Sequence, residues 1–192
     1  MTSKLRVAFL WLGTPGYFLN CLGNLAKELE SLVLFYDEGE LPQDVLENFS
    51  DLISSGRFSL IRTTNKTVAN LREAIRAADF DILVICGWHY KKWNEIAKTL
   101  SGTKILTLDN QWYGNLKQIF GQFYGRIFLR NRFQAVFVPG ERSKLFAKKI
   151  GFKSSDIYQG LYVGNSGIFK PDNSSLKMDF LFPGRLIPEK NI

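Results

Sequence analysis

Two cations five positions apart, Arg185 and Lys190, sit in the segment Phe182-Pro-Gly-Arg-Leu-Ile-Pro-Glu-Lys190, behind a short apolar run. A strand that ends on a glycine turn, here Gly184, can aim both side chains at one diphosphate. Arg offers a planar fork of donors, and Lys a compact point charge. Without further context the same segment reads as a solvated basic loop. A second constellation is Trp88, His89, Asp109, Asn110 and Trp112. Aromatic faces stack on sugar rings, Asp and Asn exchange hydrogen bonds with hydroxyls, and His89 can act as a base near neutral pH or hold structure by hydrogen bonding. A third is Gly13-Thr-Pro-Gly16, whose backbone N–H groups could approach an oxygen-rich ligand at a helix start. The plainer reading of this GxxG is a tight turn.

Other chemistries are excluded early. His89 is the only histidine, and Cys21 and Cys86 form no CxxC pair, so no zinc-type ligand spacing exists. The two cysteines read as buried, reduced thiols.

These residues need a scaffold. Apolar runs at Lys4–Leu12, Leu32–Tyr36, Phe58–Arg62, Asp81–Cys86, Lys104–Leu108 and Ala135–Val138 predict buried strands. Between them, helical spacing appears at Tyr17–Glu30, weakly at Val45–Ile53, then at Val68–Ala78, Trp93–Leu100, Leu116–Leu129 and Arg142–Ile150. Continuous apolar strands alternating with amphipathic helices predict an α/β fold with a doubly wound parallel sheet. Ligands of such sheets sit outside the carboxyl ends of the strands. The loops Gly13–Gly16, Gly87–Tyr90, Asp109–Trp112 and Pro139–Glu141 are therefore expected at one edge. Residues 1–163 read as one domain, the Gly-, Asn- and Ser-rich 164–177 as a linker, and 178–192 as the start of a second domain.

The last segment, FLFPGRLIPEKNI, resembles the start of the donor domain in the large retaining glycosyltransferase family numbered four, which has the GT-B fold and reads F-x-GR-L-x-x-EK-G there. AVFVPGERSKLFAKKIGF resembles that family's strand, turn and helix ending in Gly, and LYVGNSGIFKP its connector. LRVAFLWLGTPGYFLNCLGNLAKEL occupies the place of the first strand, Gly loop and helix. The resemblance implies a Rossmann-like acceptor-side half and a sugar transfer from a nucleotide-diphosphate sugar to a glycan or lipid-linked acceptor. It implies no cofactor and no metal. Gly184, Arg185 and Lys190 would bind the donor diphosphate, the two cations stabilising the departing nucleoside diphosphate. Gly13, Gly16, Trp88, His89, Asp109, Asn110 and Trp112 would face the acceptor. The sequence departs from the family pattern at GTPG, at Asp109-Asn110 and in the connector, and the paired glutamates that the family carries further on are absent from it. This chain alone is therefore expected to transfer no sugar.

Composition agrees with a globular protein, 45% apolar and 22% charged. No apolar run is long enough to span a bilayer and no signal peptide is read, so a cytoplasmic setting is expected. The net charge is +7, and residues 117–149 hold eight basic side chains against one acid, Glu141. Interleaved with Phe120, Phe123, Tyr124, Phe128 and Phe133, they suggest an anionic membrane surface as a partner. Nucleic acid would rest on charge alone and is not proposed. Against the membrane stands the stripe 116, 119, 120, 123 and 127, which would simply pack on the sheet and leave Tyr124 and Phe128 exposed. Two other functions compete. A dinucleotide-binding oxidoreductase would use Asp37 to hold a ribose, although GTPG lacks the first glycine of GxGxxG. A non-catalytic sugar-binding module would keep only the acceptor-side loops.

Overall fold

A computed structural model describes residues 4–88 and 90–161. His89, Gly184, Arg185, Lys190 and the linker and second-domain boundaries lie outside the described residues. Seven strands build the sheet: β1 (Arg6–Trp11), β2 (Ser31–Tyr36), β3 (Phe58–Arg62), β4 (Ile82–Cys86), β5 (Thr103–Thr107), β6 (Ala135–Val138) and β7 (Ile157–Gln159). Their order is β3-β2-β1-β4-β5-β6-β7 and every pairing is parallel. The first three strands step outward one way from β1 and the rest the other way. Right-handed crossovers then place helices on both faces. This is the doubly wound, Rossmann-like sheet that the apolar strands predict.

The helices are α1 (Gly16–Ala26), α2 (Gln43–Asn48), α3 (Ser50–Ser54), α4 (Val68–Ala77), α5 (Lys91–Thr99), α6 (Leu116–Tyr124) and α7 (Glu141–Lys149). Between β1 and β4, which share a register from Val7↔Ile82 to Leu10↔Ile85, the sheet is buried on both faces. Phe18, Leu19 and Leu22 of α1, Leu71 and Ile75 of α4, Trp93 and Ile96 of α5, and Phe146 of α7 complete the core. Thr67 caps α4 by accepting from the Asn70 amide at 3.2 Å.

Three elements differ from expectation. The helix predicted at Val45–Ile53 is split into α2 and α3, because Phe49 leaves helical geometry (φ −120°, ψ 21°) and turns inward, edge-on to Phe58 at 6.2 Å. β7 leaves no mark in the sequence: it is three residues long and only Ile157 is buried, too little pattern for a period-two signal. Cys86 is buried as expected, but Cys21 is only half-buried; neither forms a disulfide.

The largest departure is α6. The stripe expected on the sheet points outward: Leu116 is 74% exposed, Phe120 72%, Phe123 57% and Ile127 58%. The helix approaches the body by its glycine face instead. A Cβ on Gly125 would stand 2.6 Å from the Ile150 Cβ, and one on Gly121 would stand 3.6 Å from the Trp88 ring. Past Tyr124 the chain widens into a π-helical turn, Gly125–Leu129, which buries Gly125 and Leu129. Apolar periodicity finds such a helix but cannot tell which face a small-residue contact will choose. The two glycines should respond oppositely to alanine. Gly125→Ala should destabilise the fold by about 1–2 kcal/mol, since overpacking against Ile150 exceeds the gain in helix propensity. Gly121→Ala meets only ordinary contact and should stabilise it by about 0.5–1 kcal/mol. Urea denaturation of both variants checks the difference in sign.

Candidate functional site at the carboxyl edge of the sheet

Parallel strands bring residues 13–16, 87–88, 90, 109–112 and 139–141 to one edge, as the sheet topology requires. Hydrogen bonds tie the ends of β1 and β4 together through Asp37. The Asp37 amide donates to the carbonyls of Trp11 and Leu12, both at 3.3 Å, and Tyr90 reaches back to the Asp37 carboxylate.

The loop after β1 has an open and a packed half. A Cβ on Gly13 would touch nothing within 4 Å, whereas Thr14 is buried and its hydroxyl donates to the Glu40 carbonyl at 2.9 Å. Gly39 (φ +96°) makes this contact possible, because a Cβ there would lie 2.6 Å from the Thr14 hydroxyl oxygen. Pro15 precedes α1 in extended geometry, with no side chain capping the helix and no acid in its first turn. The start of α1 at the sheet edge therefore carries the helix's partial positive charge with no acid of its own first turn beside it.

Gly87 (φ +71°) turns the chain sharply after β4. Trp88 Nε1 then donates to Asn110 Oδ1 at 2.9 Å, so two of the expected site residues meet directly. Both tryptophans frame Phe146 of α7: Trp88 edge-on at 6.4 Å and Trp112 tilted at 5.7 Å. The Lys149 ammonium stands 4.6 Å from the Trp112 ring centre, a cation–π contact. Trp88 and Trp112 therefore shape and stiffen the loops, each only partly buried.

Asp109 is exposed, and its carbonyl accepts from the Ser143 hydroxyl at 3.3 Å. With Gln111, Gly140, Glu141, Arg142 and Ser143 it lines a shallow cavity of about 280 Å³. Arg142 donates to Gln111 Oε1 at 3.3 Å across it. Gln118 holds the loop from below. Its Oε1 accepts from the amides of Tyr113 (2.6 Å) and Gly114 (3.1 Å), and its Nε2 donates to the Gln111 carbonyl at 2.5 Å. Gln111 and Arg142 were not among the expected site residues. The signal was present in Gln111, next to Asn110, and in Arg142, at a helix start after Pro139-Gly140.

A buried cluster lies beside this edge. Asp37 Oδ1 accepts from Lys92 Nζ at 3.0 Å and from Thr63 Oγ1 at 3.2 Å, while Oδ2 accepts from the Tyr90 hydroxyl. Burial pushes the Asp37 carboxyl up, but the donors Tyr90, Lys92 and Thr63 together outweigh it and hold it below the usual carboxylate range. The same hydrogen bond to Asp37, with burial second, lifts the Tyr90 phenol to about 12. Both Asp37 oxygens already accept from internal partners, and the side chain is only 10% exposed. Burial, with Asp109 adding to it, pushes the Cys86 thiol up to about 12, which leaves it protonated and a poor nucleophile. Among the described residues no three His, Cys, Asp or Glu side chains gather to hold a metal.

An open carboxyl edge on a parallel sheet of order 3-2-1-4-5-6-7 defines an α/β protein of the Rossmann-like class. Solved structures with the same arrangement include HepE (Alr3699) of Anabaena in complex with UDP and glucose, with a TM-score of 0.53 at 13% identity. The match covers 81% of this chain and 44% of HepE. A UDP-N-acetylglucosamine 2-epimerase matches with a TM-score of 0.52 at 18% identity, over 82% of this chain and 48% of the epimerase. HepE also matches as its complex with UDP-glucose, at 12% identity and a TM-score of 0.53. The chain thus spans less than half the length of these proteins. No family model matches the sequence, and no curated protein matches it.

Proposed function

We propose that this chain is the acceptor-side half of a GT-B glycosyltransferase, one that moves a sugar from a nucleotide-diphosphate sugar to a glycan or lipid-linked acceptor. The observation that carries the reading is the shared half-sheet: the same fold occupies just under half of proteins crystallised with UDP, glucose or UDP-glucose. The segment Pro183-Gly-Arg-Leu-Ile-Pro-Glu-Lys190 supplies the donor-side resemblance.

In this reading the open Gly13 turn, the uncapped α1 start, Asp109, Asn110 and the 280 Å³ cavity face the acceptor. Gly16, Trp88 and Trp112 shape the wall, and His89 completes it as a base or hydrogen-bond partner. Gly184, Arg185 and Lys190 take the donor diphosphate. As the glycosidic bond breaks, negative charge grows on the leaving phosphate, and preorganised cations stabilise it without a metal. Transfer is retaining in this scheme.

The test supplies the natural protein with a panel of nucleotide sugars and extracted glycolipid acceptors, with and without EDTA. Transfer that EDTA leaves undiminished is expected. Stoichiometric binding of a nicotinamide dinucleotide, with no affinity for nucleotide sugars, would overturn the reading.

A further inference from the structure

The outward face of α6 has no role in the site above. Leu116, Phe120, Phe123 and Ile127 recur at helical spacing and form a ridge on the solvent side, flanked by Tyr124 and Phe128. From 116 to 127 the ridge runs about 17 Å at helical rise. Isolated apolar side chains on a surface need no explanation, but a continuous ridge of this size marks a contact surface.

Its surroundings are cationic. Between Asp109 and Glu141 the sequence contains no acid. Lys117 and Arg126 are exposed on the same helical unit. Beside the ridge, between α5 and the π-turn, a cavity of about 460 Å³ is lined by Trp88, Lys91, Glu95, Lys98, Tyr124 and Arg132. Three cations and one carboxylate thus face the cavity that adjoins the apolar ridge. The Arg132 guanidinium stands 5.7 Å from the Phe128 ring, and its Nη1 is buried with no hydrogen-bond partner among the described residues.

We infer that α6 docks this protein on an anionic phospholipid bilayer, with the ridge at the acyl boundary and headgroup phosphates on Lys91, Lys98 and Arg132. An in-plane helix with an apolar face and cationic flanks has this mode of binding. Charge complementarity selects the occupant. A second copy would bring its own cations against these, and like charges across an interface oppose pairing. Residues 162–192 offer no acidic complement, with four basic and three acidic side chains. No helix among the described residues is long and apolar enough to cross a membrane.

Flotation of the 192-residue chain with vesicles decides it. At low salt the chain should float with phosphatidylcholine–phosphatidylglycerol vesicles, float at least about tenfold less with phosphatidylcholine alone, and be released by high salt. Phe120→Ser combined with Phe123→Ser should weaken partitioning by about tenfold or more. Both side chains are more than half exposed, so the thermal midpoint should not move. Lys91→Ala and Lys98→Ala form a second, independent arm, each expected to weaken binding about fivefold. Equal recovery with both lipids, no flotation, or ridge variants that bind like the parent would overturn the inference. So would a dimer by light scattering that the ridge substitutions convert to monomer, because the ridge would then be covered by a second copy. Free inorganic phosphate that binds the lysine pair while vesicles do not would overturn it as well.

Discussion

In a form of the protein that transfers sugar, Arg185→Ala should lower kcat by about ten- to a thousandfold, the usual scale for losing one preorganised charge contact to a developing anion. The expectation rests on the resemblance of Gly184-Arg185 and Lys190 to a donor-domain turn. The leaving diphosphate gains charge only as the bond breaks, so the Arg185 contact is strongest in the transition state. Its loss should therefore appear in kcat more than in KM. Arg185→Lys should recover only part of the rate, because an ammonium cannot reproduce the bidentate fork. Steady-state kinetics with the nucleotide sugar varied separates the outcomes. A raised KM at constant kcat would reduce Arg185 to ground-state binding, and unchanged kinetics would remove it from the mechanism.

Much of the scaffold is legible in the sequence, for a physical reason. Strands buried on both faces must be apolar throughout, so VAFLW, LVLFY and ILVIC stand out against amphipathic helices. Their parallel order then places the loops after β1, β4, β5 and β6 on one edge without further information. Orientation within elements is less legible. The α6 stripe looks like a core face, yet the helix meets the body through Gly121 at Trp88 and Gly125 at Ile150. Apolar periodicity records that a helix has two faces, while packing of small residues decides which one turns inward. Pairings between side chains distant in sequence are hidden for another reason. Trp88 with Asn110, and Arg142 with Gln111, are separated by 22 and 31 positions, and no local pattern couples them. Asp37 is the sharpest case. Its position after β2 suits a ribose ligand, yet Tyr90 and Lys92 arrive from beyond β1 and take its oxygens.

That cluster gives the second large effect: Asp37→Ala should destabilise the fold by about 2–4 kcal/mol at neutral pH. The side chains of Asp37 and Lys92 are only 10% and 17% exposed, so solvent screens their pairing little. Removing the carboxylate takes the counter-charge from the Lys92 ammonium, which keeps the Thr63 carbonyl at 3.0 Å and the Trp93 ring at 5.3 Å, and leaves the Tyr90 hydroxyl without its Asp37 acceptor. Lys92→Met should cost less, since Asp37 would still accept from Tyr90 and Thr63. The double variant should be less unstable than the sum of the singles, because each single change leaves a partner unpaired. The pH dependence carries a definite sign. A carboxylate held below its unfolded pKa contributes stability that is fully present above that value, about 4, and is lost as pH falls through the folded one. The parent should therefore lose stability on acidification below about pH 4 more steeply than Asp37→Ala does. Urea midpoints from pH 7 to pH 3 measure both effects together. Parallel curves for parent and variant would show that Asp37 carries no net charge-dependent stability, and a neutral-pH loss below about 1 kcal/mol would mean that the contacts of Lys92 and Tyr90 are readily replaced by water.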